Sequence, residues 1–514
     1  MDINEIVKTL DNFAWGPVLV FLCLVSGVIF SVLMKFPQIR MTDQMVSNLF
    51  GGKNSKSGLT PFQSFSIALG GRVGTGTITG TAGAILMGGP GSIFWMCVMT
   101  LFGSMSAFIE SVLAQTYKER VNDEYVGGPA YYIEKGLRWK PLGIIYAIYA
   151  IIFLIIFTAL QANSFTSVAS VSFNMQPIII GTAYVVLLAL VIFGGFKRIG
   201  KVAEVIVPFM SAGYILLAII MFAVNYTEII NVFAMIFKSA FGLDAAFGGL
   251  VGSSISWGVK RGIFSNEAGL GTGAMVAGTA EVSHPAKAGF AQAFSTIVTI
   301  FICLATAFMI FSANTFNVEN PKGGFLLENV PGVANGEFTA TAISNFIPGF
   351  GGIFITIAMF LFTFTTILAY VIYIKSNVAY LLRGNIQGRK YNKIILTLNI
   401  FIIAMAFVGP LVSADLVWNL GSALCGFLAM INTICILLLA KKGVLIFKDY
   451  EKQLRKGIDP IFIPSTIGIK NAELWDDITA ENYSEEVNAY HNAFNTQPKD
   501  SNNSNNQSKV PTLS

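Results

Sequence analysis

Two apolar stretches of this chain are interrupted by closely spaced glycines. The residues at these interruptions, or breaks, are the ones best suited to bind small ions. The first lies within residues 63–80 and the second within residues 256–273. Dense glycine at membrane depth is tolerated only where protein or a cavity supplies backbone partners. Unwinding frees amide N–H groups, which attract a carboxylate, and carbonyl oxygens, which coordinate a small cation. The first break contains Gly70, Gly71, Gly74, Gly76 and Gly80, with the hydroxyls of Thr75, Thr77 and Thr79.

Two explanations compete with ion binding for these glycines. One is a nucleotide-binding glycine loop, which needs a strand–turn–helix unit in a soluble domain, and the apolar context excludes it. The other is close packing of helices through small residues, which stays open.

Polar side chains in other apolar stretches could complete an ion site. Residues 363–366 read Thr-Phe-Thr-Thr, and hydroxyl oxygens suit sodium, a hard cation. Hydroxyls in a helix also bond back to their own carbonyls, which is the alternative here. Gln161 and Asn163 are amides in an apolar segment, so each should bond across helices or reach a ligand.

Five of the ionisable residues inside apolar segments stand out, because charge there is costly unless it faces protein or water and is paired. For Lys260, Arg261 and Glu110 we favour structural or gate salt bridges over substrate contact. The other two are Arg72 and Glu267.

Composition indicates a membrane protein. The chain has 514 residues, 54% of them hydrophobic and 12% charged, whereas a soluble domain has about 25% charged residues. Its two histidines and five scattered cysteines exclude a His-based metal centre and a disulfide framework. Eleven segments are long and apolar enough to cross a bilayer: 15–34, 62–88, 90–117, 141–173, 177–194, 199–225, 246–280, 286–313, 346–382, 392–411 and 415–440.

The distribution of charge predicts the orientation. Lys and Arg concentrate in and beside the odd-numbered loops between segments, and few occur in the even-numbered loops. Because positive charge stays on the cytoplasmic side, we expect the N-terminus outside and the C-terminus in the cytoplasm.

The positions of the breaks predict an inverted repeat. Without segment one (15–34), ten segments remain, and the breaks fall in the first segment of each group of five. We therefore expect repeats over 62–225 and 246–440, with opposite topology because five is odd. The transporter domain would span 1–440.

Segments outside the membrane are also expected to have defined places. Residues 228–241 look like an amphipathic helix at the outer surface, and the outer loop 314–345 could cover the entrance. Residues 441–514 form a polar cytoplasmic tail with a disordered end. Within that tail, 473–477 could dock on the cytoplasmic face.

The sequence resembles the alanine or glycine:cation symporter family across all eleven segments. The resemblance is carried by Val-Gly-Thr-Gly (73–76), Gly-Gly-Pro-Gly (88–91), Phe-Trp-Met (94–96) and the motifs at 127–136, 161–164 and 256–271. It implies an all-α membrane protein with a LeuT-type 5+5 inverted repeat and one extra N-terminal helix. It also implies sodium-coupled, in some members proton-coupled, uptake of small neutral amino acids.

The resemblance also implies two sets of site residues. Sodium, the co-transported ion, would be bound by Gly70, Val73, Phe362, Thr365 and Thr366. The amino acid would contact Thr75, Gly76, Gln161, Met275, Thr366 and Tyr370.

Three departures from the family pattern bear on the substrate. The family usually has Asn where this chain has Thr77, and Gly-Trp where this chain has Ala369-Tyr370. It also has a Tyr-Gly-Glu-like end to that helix where this chain has Ile-Lys-Ser at 374–376. Tyr is smaller than Trp and offers a hydroxyl. We therefore expect a pocket that admits a larger or more polar side chain than alanine, such as serine or glutamine.

The resulting expectation is a plasma-membrane symporter importing alanine, glycine, serine or glutamine with sodium. Its partners would be the amino acid and the bilayer, with no nucleic acid and no organic cofactor, and the protein would be a monomer. Proton coupling and an amino-acid sensor with a signalling tail are alternatives. A channel would need a continuous polar path, and an enzyme an acid–base or metal constellation; the sequence shows neither.

Overall fold

The computed structural model describes residues 3–53, 55, 57–243, 247–384 and 388–494. Over these ranges, eight helices are long and apolar enough to cross a membrane. The remaining three predicted segments are the two with glycine breaks, each divided into shorter helices, and the fifth, a helix of 16 residues. Helices thus occupy all eleven predicted segments, while the number of crossings remains a prediction.

The helices and strands of the N-terminal half run to residue 240. They are α1 (Ile3–Ala14), α2 (Pro17–Leu33), α3 (Pro37–Arg40), α4 (Thr42–Ser47), α5 (Pro61–Arg72), α6 (Thr81–Gly88), α7 (Gly91–Thr116), β1 (Glu119–Val121), β2 (Glu124–Val126), α8 (Pro129–Leu137), α9 (Lys140–Phe173), α10 (Pro177–Ile192), α11 (Phe196–Val224) and α12 (Ile229–Ala240).

The C-terminal half begins with the second broken segment. Its elements are α13 (Val251–Asn266), α14 (Thr272–Ala277), α15 (Pro285–Ser312), β3 (Asn317–Glu319), β4 (Phe325–Glu328), α16 (Phe338–Phe346), α17 (Phe350–Leu382), α18 (Arg389–Val408), α19 (Ala414–Leu438), α20 (Ala440–Arg455), α21 (Leu474–Asn482) and α22 (Ser484–Phe494). The strands form two antiparallel hairpins, β1–β2 and β3–β4.

The first break separates α5 from α6. Helix α5 starts at a capping box, in which Thr60 and Gln63 satisfy each other's backbone amides. After Val73 the chain resumes as a π-helical segment, Gly76–Gly80, before α6. A Cβ added at Gly71 would lie 2.5 Å from the Tyr373 hydroxyl of α17. Close helix packing is therefore part of the reason for these glycines.

The second break separates α13 from α14 and depends on left-handed backbone. Glu267 has φ 54°, and Gly269 and Gly271 both have φ 84°. Glycine adopts this conformation without steric cost, so the two glycines permit a turn between helices that continue in the same segment.

Equivalent helices of the two five-helix groups pack against each other. The half-helix α5 contacts α14, and α6 contacts α13. The second helices of the groups, α7 and α15, are also in contact, as are the third helices, α9 and α17. This pairing brings the two breaks together at the centre of the bundle, as the predicted inverted repeat requires.

The odd-numbered loops gather on one side of the bundle, which we call the basic side. Leu59 and Ala280 form a parallel bridge, in which the Leu59 amide donates to Thr279 O and the Glu281 amide donates to Leu59 O, both at 2.9 Å. The Tyr125 amide donates to Ser57 O, also at 2.9 Å. These bonds connect loops of both repeats and close the bundle on this side.

The segment after residue 440 is folded onto the basic side over 441–494. The expected docking at 473–477 is present: Trp475 is fully buried, and its Nε1 donates to Gln115 O at 3.0 Å. Phe462 N donates to Ser283 O at 2.9 Å, and Asp459 pairs with Lys287 at 2.5 Å. The predicted disordered end lies outside the described residues.

The N-terminal helix α1 is absent from the sequence-based prediction. Helix α1 is short and polar on one face, so the criterion of a long apolar segment does not identify it. Asp11 on α1 pairs with Lys260 on α13 at 2.5 Å, with both side chains buried. This ion pair confirms the expectation that Lys260 is structurally paired.

The predicted outer-surface segments lie opposite the basic side. The predicted segment 228–241 contains α12, whose Ser239 hydroxyl accepts from the Gly91 amide at 3.0 Å. The loop 314–345 contains β3, β4 and the start of α16, and its residues 334–337 line an open cavity.

Candidate functional site

Oxygen atoms of the first break and of α17 converge at the centre of the bundle. The Thr366 hydroxyl lies 2.7 Å from Gly70 O and 2.8 Å from Phe362 O. The last four carbonyls of a helix lack intrahelical partners, and Gly70 is within that last turn of α5. The Thr365 hydroxyl also reaches Phe362 O, at 3.1 Å. Four of the five residues expected at sodium are therefore adjacent.

The fifth expected sodium ligand, Val73, lies at the break itself. It ends α5, is fully buried, and donates its amide to Leu69 O at 2.8 Å. The contacts of its carbonyl are not among the hydrogen bonds of the described residues, so its role as a ligand stays a prediction.

The residues expected at the amino acid form a chain of hydrogen bonds. The Thr75 amide donates to Gln161 Oε1 at 3.2 Å, and Gln161 Nε2 donates to the Tyr370 hydroxyl at 3.2 Å. The Thr75 hydroxyl is buried and has no partner among the described residues. The Gln161 oxygen therefore occupies the position in which a substrate carboxylate could accept from the break.

Two glycines bring the backbone close to these groups. A Cβ at Gly74 would lie 2.7 Å from the Thr366 hydroxyl and 3.0 Å from Gln161 Oε1. Gly74 thus lies between the two expected sites. A Cβ at Gly76 would meet the Phe264 ring at 3.1 Å. Gly76, one of the residues expected at the amino acid, therefore lies against an aromatic side chain.

Met275 is not brought into this hydrogen-bonded set. Its sulfur accepts from Asn377 Nδ2 at 3.1 Å, and its side chain packs against Gly128. The sequence reasoning grouped Met275 with the substrate residues, whereas the contacts of the described residues place it against the N-terminal end of α8. Asn163 likewise bonds to protein, at Gly409 O and Val412 O.

Aromatic side chains that the sequence analysis did not assign cover the site opposite the basic side. The Phe264 ring stacks on Trp418 at 5.3 Å between centroids and contacts Phe157 at 5.0 Å. Phe157 in turn lies 6.0 Å from Tyr370. Phe264 falls within the motif at 256–271, but no sequence pattern distinguishes Phe157 or Trp418 from other core aromatics.

A cavity of about 370 Å³ lies beyond this aromatic cover and is lined by Trp418, Arg261 and Asn163. The Arg261 guanidinium stands 5.2 Å from both the Trp257 and Trp418 rings. Among the described residues it forms no close ion pair, so the structural or gate salt bridge expected for Arg261 is not formed here. Cation–π contact holds it instead.

Charged side chains stabilise the second break. Glu110 Oε2 accepts from the Gly271 amide at 3.1 Å and from Asn432 at 2.9 Å. Arg72 donates to Asn266 O at 2.8 Å, and Glu267 accepts from the Thr272 hydroxyl at 2.8 Å. Two charged side chains of the first repeat thus satisfy backbone exposed by the second break. Glu110 is therefore structural, but through hydrogen bonds and not a salt bridge.

Relatives of known name match most of the chain. A "Putative sodium/proton-dependent alanine carrier protein YrbD" of Bacillus subtilis (strain 168) is 46% identical over 475 residues, 92% of this chain and 97% of the relative. "Probable sodium/glutamine symporter GlnT" of the same organism is 36% identical, covering 92% and 96%. "Sodium/alanine symporter AgcS" of Methanococcus maripaludis is 35% identical, covering 86% and 95%.

Among solved structures, MhsT in complex with L-phenylalanine is similar to this chain. The TM-score is 0.52 at 14% identity, covering 86% of this chain and 99% of MhsT. That likeness shows the LeuT-type fold and confirms the predicted fold class. The model of the sodium:alanine symporter family matches residues 1–464. On this match and on the relatives above, the chain belongs to the sodium:alanine symporter family and is a multi-pass membrane transporter, not an enzyme.

Proposed function

We propose that this transporter carries a small neutral amino acid together with sodium, and that both bind at the first break. The observation that supports this most directly is the position of the Thr366 hydroxyl between Gly70 O and Phe362 O, at 2.7 and 2.8 Å. Back-bonding within α17 explains only the contact to Phe362. The contact to Gly70 joins α17 to an unpaired carbonyl of another helix, an arrangement that suits a hard cation.

The amino acid would bind through its carboxylate to the Thr75 and Gly76 amides, displacing the Gln161 oxygen. Those amides begin the resumed helix, where unpaired N–H groups and the helix dipole favour an anion. The displaced Gln161 amide and the Tyr370 hydroxyl would then face the ligand. Because Tyr370 supplies a hydroxyl 3.2 Å from Gln161, we infer that polar side chains such as serine or glutamine are accepted beside alanine and glycine.

Sodium would couple to transport because its ligands come from two elements. Gly70 is on α5 and Thr365, Thr366 and Phe362 are on α17. An ion that binds both helices favours the arrangement in which they are close, which is also the arrangement that closes the basic side. A ligand shifts an equilibrium only by its differential affinity for the two states. Loss of sodium would therefore permit α5 to leave α17 and open that side.

We infer that the basic side faces the cytoplasm and that the transporter is an importer in the plasma membrane. Lys and Arg in the odd-numbered loops support this orientation. An epitope at the N-terminus should then be accessible to antibody on intact cells, and one at the C-terminus only after permeabilisation. The reverse result would contradict the orientation.

The function is tested with purified protein in proteoliposomes. Radiolabelled glycine, alanine, serine and glutamine are offered under an inward sodium gradient, a proton gradient, or neither. We expect accumulation with sodium alone, abolished by a sodium ionophore. Protein-containing vesicles that accumulate none of the four would contradict the proposal.

Proton coupling is the second candidate, favoured by one observation. Glu110 contacts the second break through Oε2, while its Oε1 is buried without a partner among the described residues. A carboxyl so placed could carry a proton between states. Uptake driven by a proton gradient in sodium-free buffer, and lost in Glu110→Gln, would favour this candidate over sodium.

A further inference from the structure

Helix α20 places a basic surface beside the end of α2. Phe447 and Tyr450 are buried against the bundle. The opposite face exposes Lys448, Lys452 and Arg455. The neighbouring end of α2 exposes Val32 and Leu33, at 55% and 48%, as expected for a surface that contacts lipid.

Two adjoining cavities lie between α20 and α2. The first, about 460 Å³, is lined by five cations: Lys35, Lys448, Lys452, Arg455 and Lys456. Its one carboxylate, Glu451, is paired with Arg40 at 2.7 Å and lies 3.7 Å from Arg455, one of the five cations. The first cavity therefore carries a large excess of positive charge.

The second cavity, about 410 Å³, is lined mainly by apolar atoms. Leu33, Val444 and Leu445 form its walls. It shares Leu33 and Lys448 with the basic cavity. A basic chamber thus continues into an apolar slot beside a lipid-facing helix.

We propose that this pair of cavities binds an anionic phospholipid, with the phosphate headgroup among the lysines and an acyl chain in the apolar slot. Basic pockets beside transmembrane helices attract anionic headgroups, and each Lys or Arg near the surface contributes about 1 kcal/mol. The continuity with the apolar slot favours a lipid over a soluble phosphate. The lining of the two cavities includes none of the residues expected at sodium or the amino acid, so this proposal does not depend on which amino acid is carried.

The test compares lipid retention by the full chain and a charge-neutralised variant. Purified protein is exchanged into detergent containing phosphatidylglycerol or phosphatidylcholine, and bound lipid is counted by native mass spectrometry. In Lys35→Gln/Lys448→Gln/Arg455→Gln we expect phosphatidylglycerol affinity to fall by about fivefold for each cation removed. The control, Arg389→Gln/Lys390→Gln/Lys393→Gln, removes three exposed cations at the start of α18 and should retain the lipid.

Two further arms separate a lipid from a soluble anion. Millimolar inorganic phosphate should not displace phosphatidylglycerol, and Leu33→Ser/Leu445→Ser should weaken lipid retention with all the cations present. A fourth variant, Lys35→Arg/Lys448→Arg, keeps the positive charge and should bind the lipid as the parent does, which shows that substitution at these positions does not by itself disrupt the site. Equal retention of phosphatidylcholine, unchanged retention in the Gln variant, or complete displacement by phosphate would overturn the proposal.

Discussion

At the scale of single residues, the hydroxyl of Thr366 differs from that of Thr363 in its contact with a backbone carbonyl of another helix, Gly70 O of α5. Thr363, one turn earlier, bonds to Met359 O in its own helix and accepts from Tyr184. Thr366 bonds to its own helix and also to Gly70 O. The two side chains have the same chemistry, so the position of the broken helix decides which one can help bind a cation.

Replacing Thr366 should therefore weaken sodium dependence. In Thr366→Ala, the half-saturating sodium concentration for alanine uptake should rise roughly ten- to a hundredfold, because a ligand to a charged group is lost. Thr366→Ser should retain most of the affinity. Thr363→Ala is the matched control on the same helix. Equal sodium affinity in Thr366→Ala and Thr363→Ala would place the ion elsewhere.

Tyr370 should set the size and polarity of the pocket. In Tyr370→Trp, the larger ring and the lost hydroxyl should shift preference toward glycine and alanine and away from glutamine, by roughly tenfold in relative uptake. Competition between labelled alanine and unlabelled glutamine measures this ratio. Tyr370→Phe separates the hydroxyl from ring size. If neither variant changes the ratio, side-chain selection occurs at other residues.

At the scale of elements, the first break works because the backbone at Gly74 fits between two side chains. In Gly74→Ala, the added Cβ would lie 2.7 Å from the Thr366 hydroxyl, too close without displacement. We expect uptake to fall by about tenfold or more with little change in thermal stability. Gly80→Ala is the control in the same segment, since its nearest contact would be Thr75 O at 3.8 Å. Comparable uptake by the two variants would show that the approach at Gly74 is unimportant.

The attachment of α1 to α13 depends on a buried ion pair. Asp11→Asn leaves the Lys260 ammonium without its partner, and removing one member of a buried pair typically costs about 3–5 kcal/mol. The thermal unfolding temperature in detergent should fall clearly. The double variant Asp11→Leu/Lys260→Met should recover much of the loss, because no buried charge remains. Losses that add in the double variant would mean the two residues act separately.

At the scale of the whole molecule, the basic side is closed by contacts that join both repeats to the C-terminal segment. Lys118 lies 4.9 Å from the Trp475 ring and 4.3 Å from the Tyr125 ring, and donates to Ala280 O at 3.1 Å. Asn482 donates to Glu281 at 3.3 Å. Opening this side therefore requires the loops of both repeats to separate from the segment that covers them.

Removing Trp475 should make the basic side open more often. Access of a thiol reagent to the basic side can be measured with a single cysteine, introduced by Ala280→Cys into a chain whose five native cysteines are replaced. Adding Trp475→Ala removes a fully buried ring, so thiol labelling from that side should accelerate roughly tenfold or more. Asp476→Ala, an exposed neighbour, is the control. Unchanged labelling in Trp475→Ala would show that the segment does not hold this side closed.

The sequence alone determined the membrane class, the positions of the apolar helices, the two breaks and their placement in an inverted repeat. These properties are local: apolar length, glycine density and loop charge are readable along the chain because lipid imposes the same constraint on every segment. The threonines of α17 and the amide Gln161 were also recognisable, since polar groups are conspicuous in apolar surroundings.

The tertiary structure decided which of those polar groups meet. It placed Thr366 against Gly70 but Asn163 against Gly409, and it turned Met275 toward Asn377. It also revealed α1, the ring stack over the site and the docked C-terminal segment. These features depend on contacts between residues tens to hundreds of positions apart in the chain. Helix periodicity gives only the face on which a side chain lies, not the partner that packs against it.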